Sequence, residues 1–146
     1  MSESNFESLL IENQICFPLY VCAKEWIKVY TPYLDELGLT YTQFITMMVL
    51  WEQKSLTVKE LGKSLFLDSG TLTPVLKTLE QQQLITRERS KQDERVLLVK
   101  ATAKGVALRE EALAQQPDMA LNTGLSAEEE AQLAALLGKM LAHEQK

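Results

Sequence analysis

The feature that most constrains this chain is a succession of signals near its middle. Thr57-Val58-Lys59-Glu60 places a hydroxyl residue three positions before a Glu, the pattern of a capping box, and predicts a short helix over 57–65. After the turn Phe66-Leu67-Asp68 a second helix is expected over 70–82, with Asp68 or Ser69 as its cap. Two stretches of strand character follow, 85–89 and 95–101, separated by the charged loop Ser90-Lys91-Gln92-Asp93-Glu94. Two helices, a tight turn and a polar-tipped hairpin in that order predict a winged helix-turn-helix, mostly α with a small β-hairpin wing.

Helices flank this lobe on both sides. Apolar residues recur at helical spacing over 15–30, so a first helix should begin close to Cys16, where Pro18 falls in a first turn that needs no amide. Thr31-Pro32 reads as a cap and first position of a separate short helix over 32–37, stopped by Gly38. Thr40-Tyr41-Thr42-Gln43 is a further capping box, opening an apolar helix to about Trp51. Downstream, Thr102 caps a helix over 103–115, Pro117 marks a break, and Ser126-Ala127-Glu128-Glu129 opens a last amphipathic helix ending near His143. The chain is expected to form one unit over 1–146, with a winged lobe at 54–102 between helical segments at 8–50 and 103–146.

Composition narrows the function classes. With 146 residues, 46% hydrophobic and 24% charged, the chain can bury a core. No apolar run reaches the roughly 18 residues of a membrane span and the first residues lack a signal's positive flank, so a cytoplasmic protein with no membrane partner is expected. Cys16 and Cys22 are then thiols. His143 is the only histidine, and no Cys-x-x-Cys, Gly-rich phosphate loop or metal-ligand cluster occurs, so neither an enzyme nor a cofactor-binding protein is expected, a thiol peroxidase included. The net charge of −5 hides an asymmetry: residues 54–104 carry ten Lys and Arg against six Asp and Glu, and the rest five against fourteen. A basic middle between acidic ends fits a phosphate-binding module carried by segments with another task, such as oligomerisation.

The expected partner is double-stranded DNA. Ser69, Gly70, Thr71 and Thr73 open the second helix of the motif, where small hydroxyl side chains and the bare Gly70 allow close approach and first-turn amides add phosphate donors. Lys77 supplies charge one turn on, while Arg87, Arg89, Lys91 and Arg95 would line the wing, with Arg95 best placed to reach a groove.

Leu67-Asp68-Ser69-Gly70-Thr71-Leu72-Thr73-Pro74, with Asp93-Glu94-Arg95 in the wing and Thr102 and Gly105 beyond it, resembles the multiple antibiotic resistance regulator (MarR) family. Asn13-Gln14-Ile15-Cys16-Phe17 and Leu37-Gly38-Leu39-Thr40-Tyr41 resemble its organic-hydroperoxide (OhrR) branch, of the one-cysteine type. The resemblance implies an obligate homodimer built by the helices at 8–50 and 103–146, with two winged lobes spaced to read a pseudo-palindrome. It also implies a repressor released by organic hydroperoxides, whose early cysteine accepts hydrogen bonds from tyrosines matching Tyr30 and Tyr41 of the other subunit. Thr78 departs from the branch, which commonly has Arg there.

Nine of the ten aromatic residues lie between Phe6 and Trp51. Cys16, at a helix N-terminus, sees amide dipoles that favour the thiolate, the form that attacks peroxide. Tyr20, Tyr30 and Tyr41 are candidate hydrogen-bond donors, and Phe17 a candidate wall for a peroxide's hydrocarbon part. Read without the resemblance, Cys16 is sooner a small core hydrophobe than a sensor, and the tyrosines are core or interface packing residues. Cys22 is about 9 Å further along the same helix, too far for a bond to Cys16, and no later cysteine exists, which leaves a low-molecular-weight thiol or overoxidation to complete the oxidised state. The other open reading is a regulator of the same fold that responds to a small aromatic ligand or serves a general stress or virulence response.

Overall fold

The structure, a computed structural model, describes residues 4–116 and 121–144. The elements run α1 (Ser4–Glu7), a 3-10 turn (Ile11–Asn13), α2 (Cys16–Leu37), α3 (Tyr41–Gln53), β1 (Ser55–Thr57), α4 (Val58–Leu65), α5 (Ser69–Gln81), β2 (Ile85–Arg89), β3 (Leu97–Ala101), α6 (Ala103–Gln115) and α7 (Ala127–Glu144).

Most boundaries follow from local hydrogen bonds. Thr40 forms both halves of its box, its hydroxyl accepting from the Gln43 amide at 3.2 Å and its amide donating to the Gln43 side chain at 3.0 Å. Thr57, Asp68 and Thr102 cap α4, α5 and α6 by accepting from the amides of Glu60, Thr71 and Gly105. Ser126 and Glu129 exchange the same reciprocal pair at the start of α7. Gly38, at φ 72°, ends α2 with its amide on the Asp35 and Leu34 carbonyls, while the Leu39 amide reaches back to Leu34.

Two expectations are corrected and one, the hairpin, is borne out and extended. The break at Thr31-Pro32 does not occur: α2 is a single 22-residue helix with Pro32 inside it. Pro32 removes one amide from the ladder, but continuing the helix buries Leu34 and Leu37, and packing overrides the local signal. The hairpin is part of a three-stranded antiparallel sheet of order β1-β3-β2, because Ser55–Thr57 pairs with β3, Leu56 lying opposite Val99. The second correction concerns β3, which starts at Leu97 and not at 95. The Asp93 carboxylate accepts the Arg95 amide and the Asp93 carbonyl the Val96 amide, closing a turn that commits both amides locally and leaves Val96 one cross-strand bond, its carbonyl accepting the Ser90 amide. Pro117 lies outside the described residues.

Leu61, Leu72, Leu76, Leu79, Ile85 and Val99 form the centre of the lobe and are 0–2% exposed. Met47 and Leu50 of α3 and Leu108 of α6 belong to the same core, so the flanking helices are built into the lobe. The turn between α4 and α5 passes through Phe66 at φ 56°, where the Leu67 amide bonds the Gly62 carbonyl. A Cβ on Gly62 would stand 2.8 Å from the Leu67 carbonyl oxygen, so this position admits only glycine while the turn keeps its shape. Trp51 Nε1 donates to the Gly105 carbonyl at 2.8 Å and ties α3 to α6. By contrast α7 has no buried residue, and Leu136, Met140 and Leu141 are exposed on it.

Candidate DNA-reading surface and thiol site

The first turn of α5 presents Ser69, Gly70 and Thr71, all exposed. Asp68 is committed to the cap, and the bonds it accepts from Thr71 hold its carboxyl below the usual range. Thr73 is half-buried and its hydroxyl donates to the Ser69 carbonyl at 2.6 Å, which leaves its lone pairs to accept. Lys77 is exposed one turn on, and the Thr78 hydroxyl is turned back onto the Pro74 carbonyl.

In the wing, the Arg95 side chain is 91% exposed. Its guanidinium makes paired bonds to Asp93 at 3.1 and 3.2 Å, which hold the Asp93 carboxyl below the usual range. Arg89 donates to the Glu94 carbonyl at 2.8 Å, bracing the loop that carries the exposed Lys91.

Arg87 stands elsewhere. On β2 it lies opposite Val99, and the alternation of a strand puts it on the face of the buried Ile85, toward α5. There it bonds Glu80 through Nε at 3.2 Å and Nη2 at 3.0 Å, so of the four cations expected to line the wing it is turned toward the helix.

A groove of about 920 Å³ joins the start of α5 to the base of the wing, lined by Ser69, Phe66 and Arg95 and by Lys59 and Lys63 of α4. Those two lysines were not among the sequence-based candidates. Their spacing of four on one helix, which puts both on one side, was the available signal.

Cys16 is the first residue of α2 and is exposed, as are Phe17 and Tyr20. Tyr20 follows Cys16 by one turn, and Lys24 Nζ sits 5.5 Å from its ring centroid. Tyr30 and Tyr41 form a separate group, their rings stacked at 6.2 Å between centroids and 11° between planes. They line a cleft of about 530 Å³ with Phe44, Met48, Trp51 and Arg109. Partial burial, with Tyr41 beside it, raises the Tyr30 phenol above its usual range. Fourteen residues of helix, about 21 Å of rise, separate Cys16 from Tyr30, so the five predicted sensor residues form two groups within one chain.

Among the described residues no group of His, Cys, Asp and Glu is arranged to hold a metal ion, and no helix is long and apolar enough to cross a membrane.

Comparison with known proteins gives this surface its context. Residues 28–112 match the family of transcriptional regulators SarA/Rot. The organic hydroperoxide resistance transcriptional regulator of Bacillus subtilis is 50% identical over 111 residues, 76% of each chain. The structure of reduced AbfR bound to DNA superposes with a TM-score of 0.78 at 31% identity, covering 96% of this chain and 98% of that one. A MarR variant from E. coli complexed with operator DNA superposes at 0.80 and 28% identity, covering 93% and 97%. The relatives are transcriptional regulators and not enzymes. On the family match, the identity and the fold together, the chain belongs to the SarA/Rot family and is a DNA-binding transcriptional regulator with the winged helix of MarR-type proteins.

Proposed function

We propose that this regulator is a homodimeric repressor that binds pseudo-palindromic DNA while Cys16 is reduced and lets go when an organic hydroperoxide oxidises it. The observation that carries the reading is the division of the sensor residues: an exposed thiol opens α2, and two stacked phenols line an apolar cleft about 21 Å along the same helix. A second copy is what would bring phenols to that thiol. The apolar residues left exposed on α2 and α7, among them Leu19, Ile27, Val29, Leu136 and Met140, support a dimer domain made by the segments 8–50 and 103–146 around lobes at 54–102.

In this reading the Cys16 thiolate attacks the terminal peroxide oxygen, the O–O bond breaks, and the alcohol leaves after taking up a proton. The cysteine becomes a sulfenic acid, which condenses with a low-molecular-weight thiol to a mixed disulfide and water. Tyr30 and Tyr41 of the partner hydrogen-bond the thiolate, Phe17 and Tyr20 flank it, and its loss as a charged acceptor shifts the lobes. On DNA, Ser69, Gly70, Thr71, Thr73 and Lys77 enter the major groove, while Arg89, Lys91 and Arg95 follow the backbone and the neighbouring minor groove.

Fluorescence anisotropy on DNA from upstream of its own gene, before and after one equivalent of an organic hydroperoxide, tests this. Wild type should release the duplex and Cys16→Ser should stay bound. Release by Cys16→Ser would place the sensing residue elsewhere. Replacing both Tyr30 and Tyr41 by Phe should slow oxidation, and an unchanged rate would assign those rings to packing. The cleft favours a second reading, a small aromatic ligand held among Tyr30, Phe44, Trp51 and Arg109. It predicts release by such a ligand with Cys16 replaced.

A further inference from the structure

The Glu80–Arg87 pair is the one strong ion pair that joins the reading helix to the wing among the described residues. Glu80 lies in the last turn of α5, where the helix dipole disfavours an acid, and no basic residue of α5 stands there to offset it. Arg87 supplies the missing charge from β2. The two-point contact, 3.0 and 3.2 Å, fixes direction as well as distance, because a planar guanidinium meets a carboxylate in one plane. Arg87 is held on its own side as well: its strand position opposite Val99 places it on the inner face, and its side chain is only 20% exposed. Glu80 is pulled below its usual carboxyl range and Arg87 raised above its own, each by the other.

We propose that Arg87 and Glu80 form a clamp that sets the wing against the reading helix, making Arg87 a positioning residue for DNA binding and not a DNA contact. The two DNA-facing parts, the first turn of α5 and the loop bearing Lys91 and Arg95, lie on different elements. A protein that must place both on one duplex gains affinity when the angle between them is set before it binds. Surface charge alone argues for the opposite behaviour: Glu80 is an acid on a DNA-binding lobe, and removing it should strengthen attraction to phosphate. The sign of the Glu80 effect therefore separates the two views.

The experiment uses the full-length protein and a duplex chosen by the wild-type protein from a random-sequence pool, with Kd measured across a salt series and folding checked by circular dichroism. Glu80→Gln should weaken binding about fivefold to tenfold at constant salt, although it makes the lobe more positive. Glu80→Gln combined with Arg87→Gln, which leaves net charge unchanged, should weaken binding by the same factor with the slope of log Kd against log salt unaltered. Exchanging the pair, Glu80→Arg with Arg87→Glu, should recover most of the loss. Tighter binding by Glu80→Gln would overturn the clamp. So would a salt slope reduced in the double Gln variant by about 0.9 per phosphate no longer neutralised, since that marks Arg87 as a phosphate ligand. Should the exchanged pair fail to fold, the two Gln variants decide the matter by themselves.

Discussion

Gly70 offers a test in which stability and function should move in opposite directions. It is the second residue of α5, exposed, and its φ is not positive. A Cβ built there meets only Asp68 Oδ1 at 3.6 Å, an ordinary van der Waals contact. Nothing in the fold therefore requires glycine. Gly70→Ala removes unfolded-chain entropy at a position whose backbone alanine adopts freely, a gain of about 0.4–1 kcal/mol. For a chain of this size that is roughly 1–4 °C in the thermal midpoint. In the DNA-bound arrangement proposed above, the added methyl group would occupy the space through which a phosphate or base edge approaches the first-turn amides. In the proposed dimer, a cost of about 1 kcal/mol in each of two lobes is a loss of about thirtyfold in affinity. Thermal melting at fixed protein concentration and anisotropy on a duplex selected by the wild-type protein measure the two effects. A Gly70→Ala protein that melts higher and binds undiminished would refute the close-approach role, and one that melts lower would show that the fold does require the glycine.

Gly105 behaves in the opposite way: its Cβ would run into the Leu84 carbonyl, so Gly105→Ala should cost about 1–3 kcal/mol by urea denaturation, and an unchanged midpoint would refute the contact. Leu76→Ala empties a position 1% exposed at the centre of the lobe and should cost about 2–5 kcal/mol in the same assay. Asp68, Glu80, Asp93 and Glu129 are all held below their ordinary values of 3.8 for Asp and 4.5 for Glu by the bonds they accept. Groups depressed in the folded state stabilise it above those ordinary values. The urea midpoint should therefore hold at higher pH and fall as pH drops through 4.5 and 3.8 toward the lower folded values, whereas a midpoint that rises on acidification would refute the assignment.

Five helix starts were legible because each is a local bond, an oxygen at one residue and an amide three residues on. Thr40, Thr57, Asp68, Thr102 and Ser126 are all such cases. The order of helices and hairpin, and hence the winged lobe with exposed Ser69, Gly70 and Arg95, followed from the same local rules. Cys16 at the head of α2 was legible too, since a helix can be timed from its apolar spacing and the tolerance of Pro18 in its first turn.

What local rules left open depended on contacts between distant residues. Ser55–Thr57 is too short to show a strand's alternation and is a strand only because β3 accepts it as a neighbour. Pro32 signals a helix start by itself, and only the burial of Leu34 and Leu37 carries the helix through it. Arg87 read as one more wing cation until the register with Val99 turned it inward to Glu80. Tyr30 and Tyr41 were singled out by the family resemblance, but the stack they form exists because α2 and α3 pack together. The sequence by itself determined where helices begin and what chemistry each carries, because capping and periodicity act within a few residues. Which side chains meet was decided by the tertiary structure, because strand register and helix packing join residues that no local pattern connects.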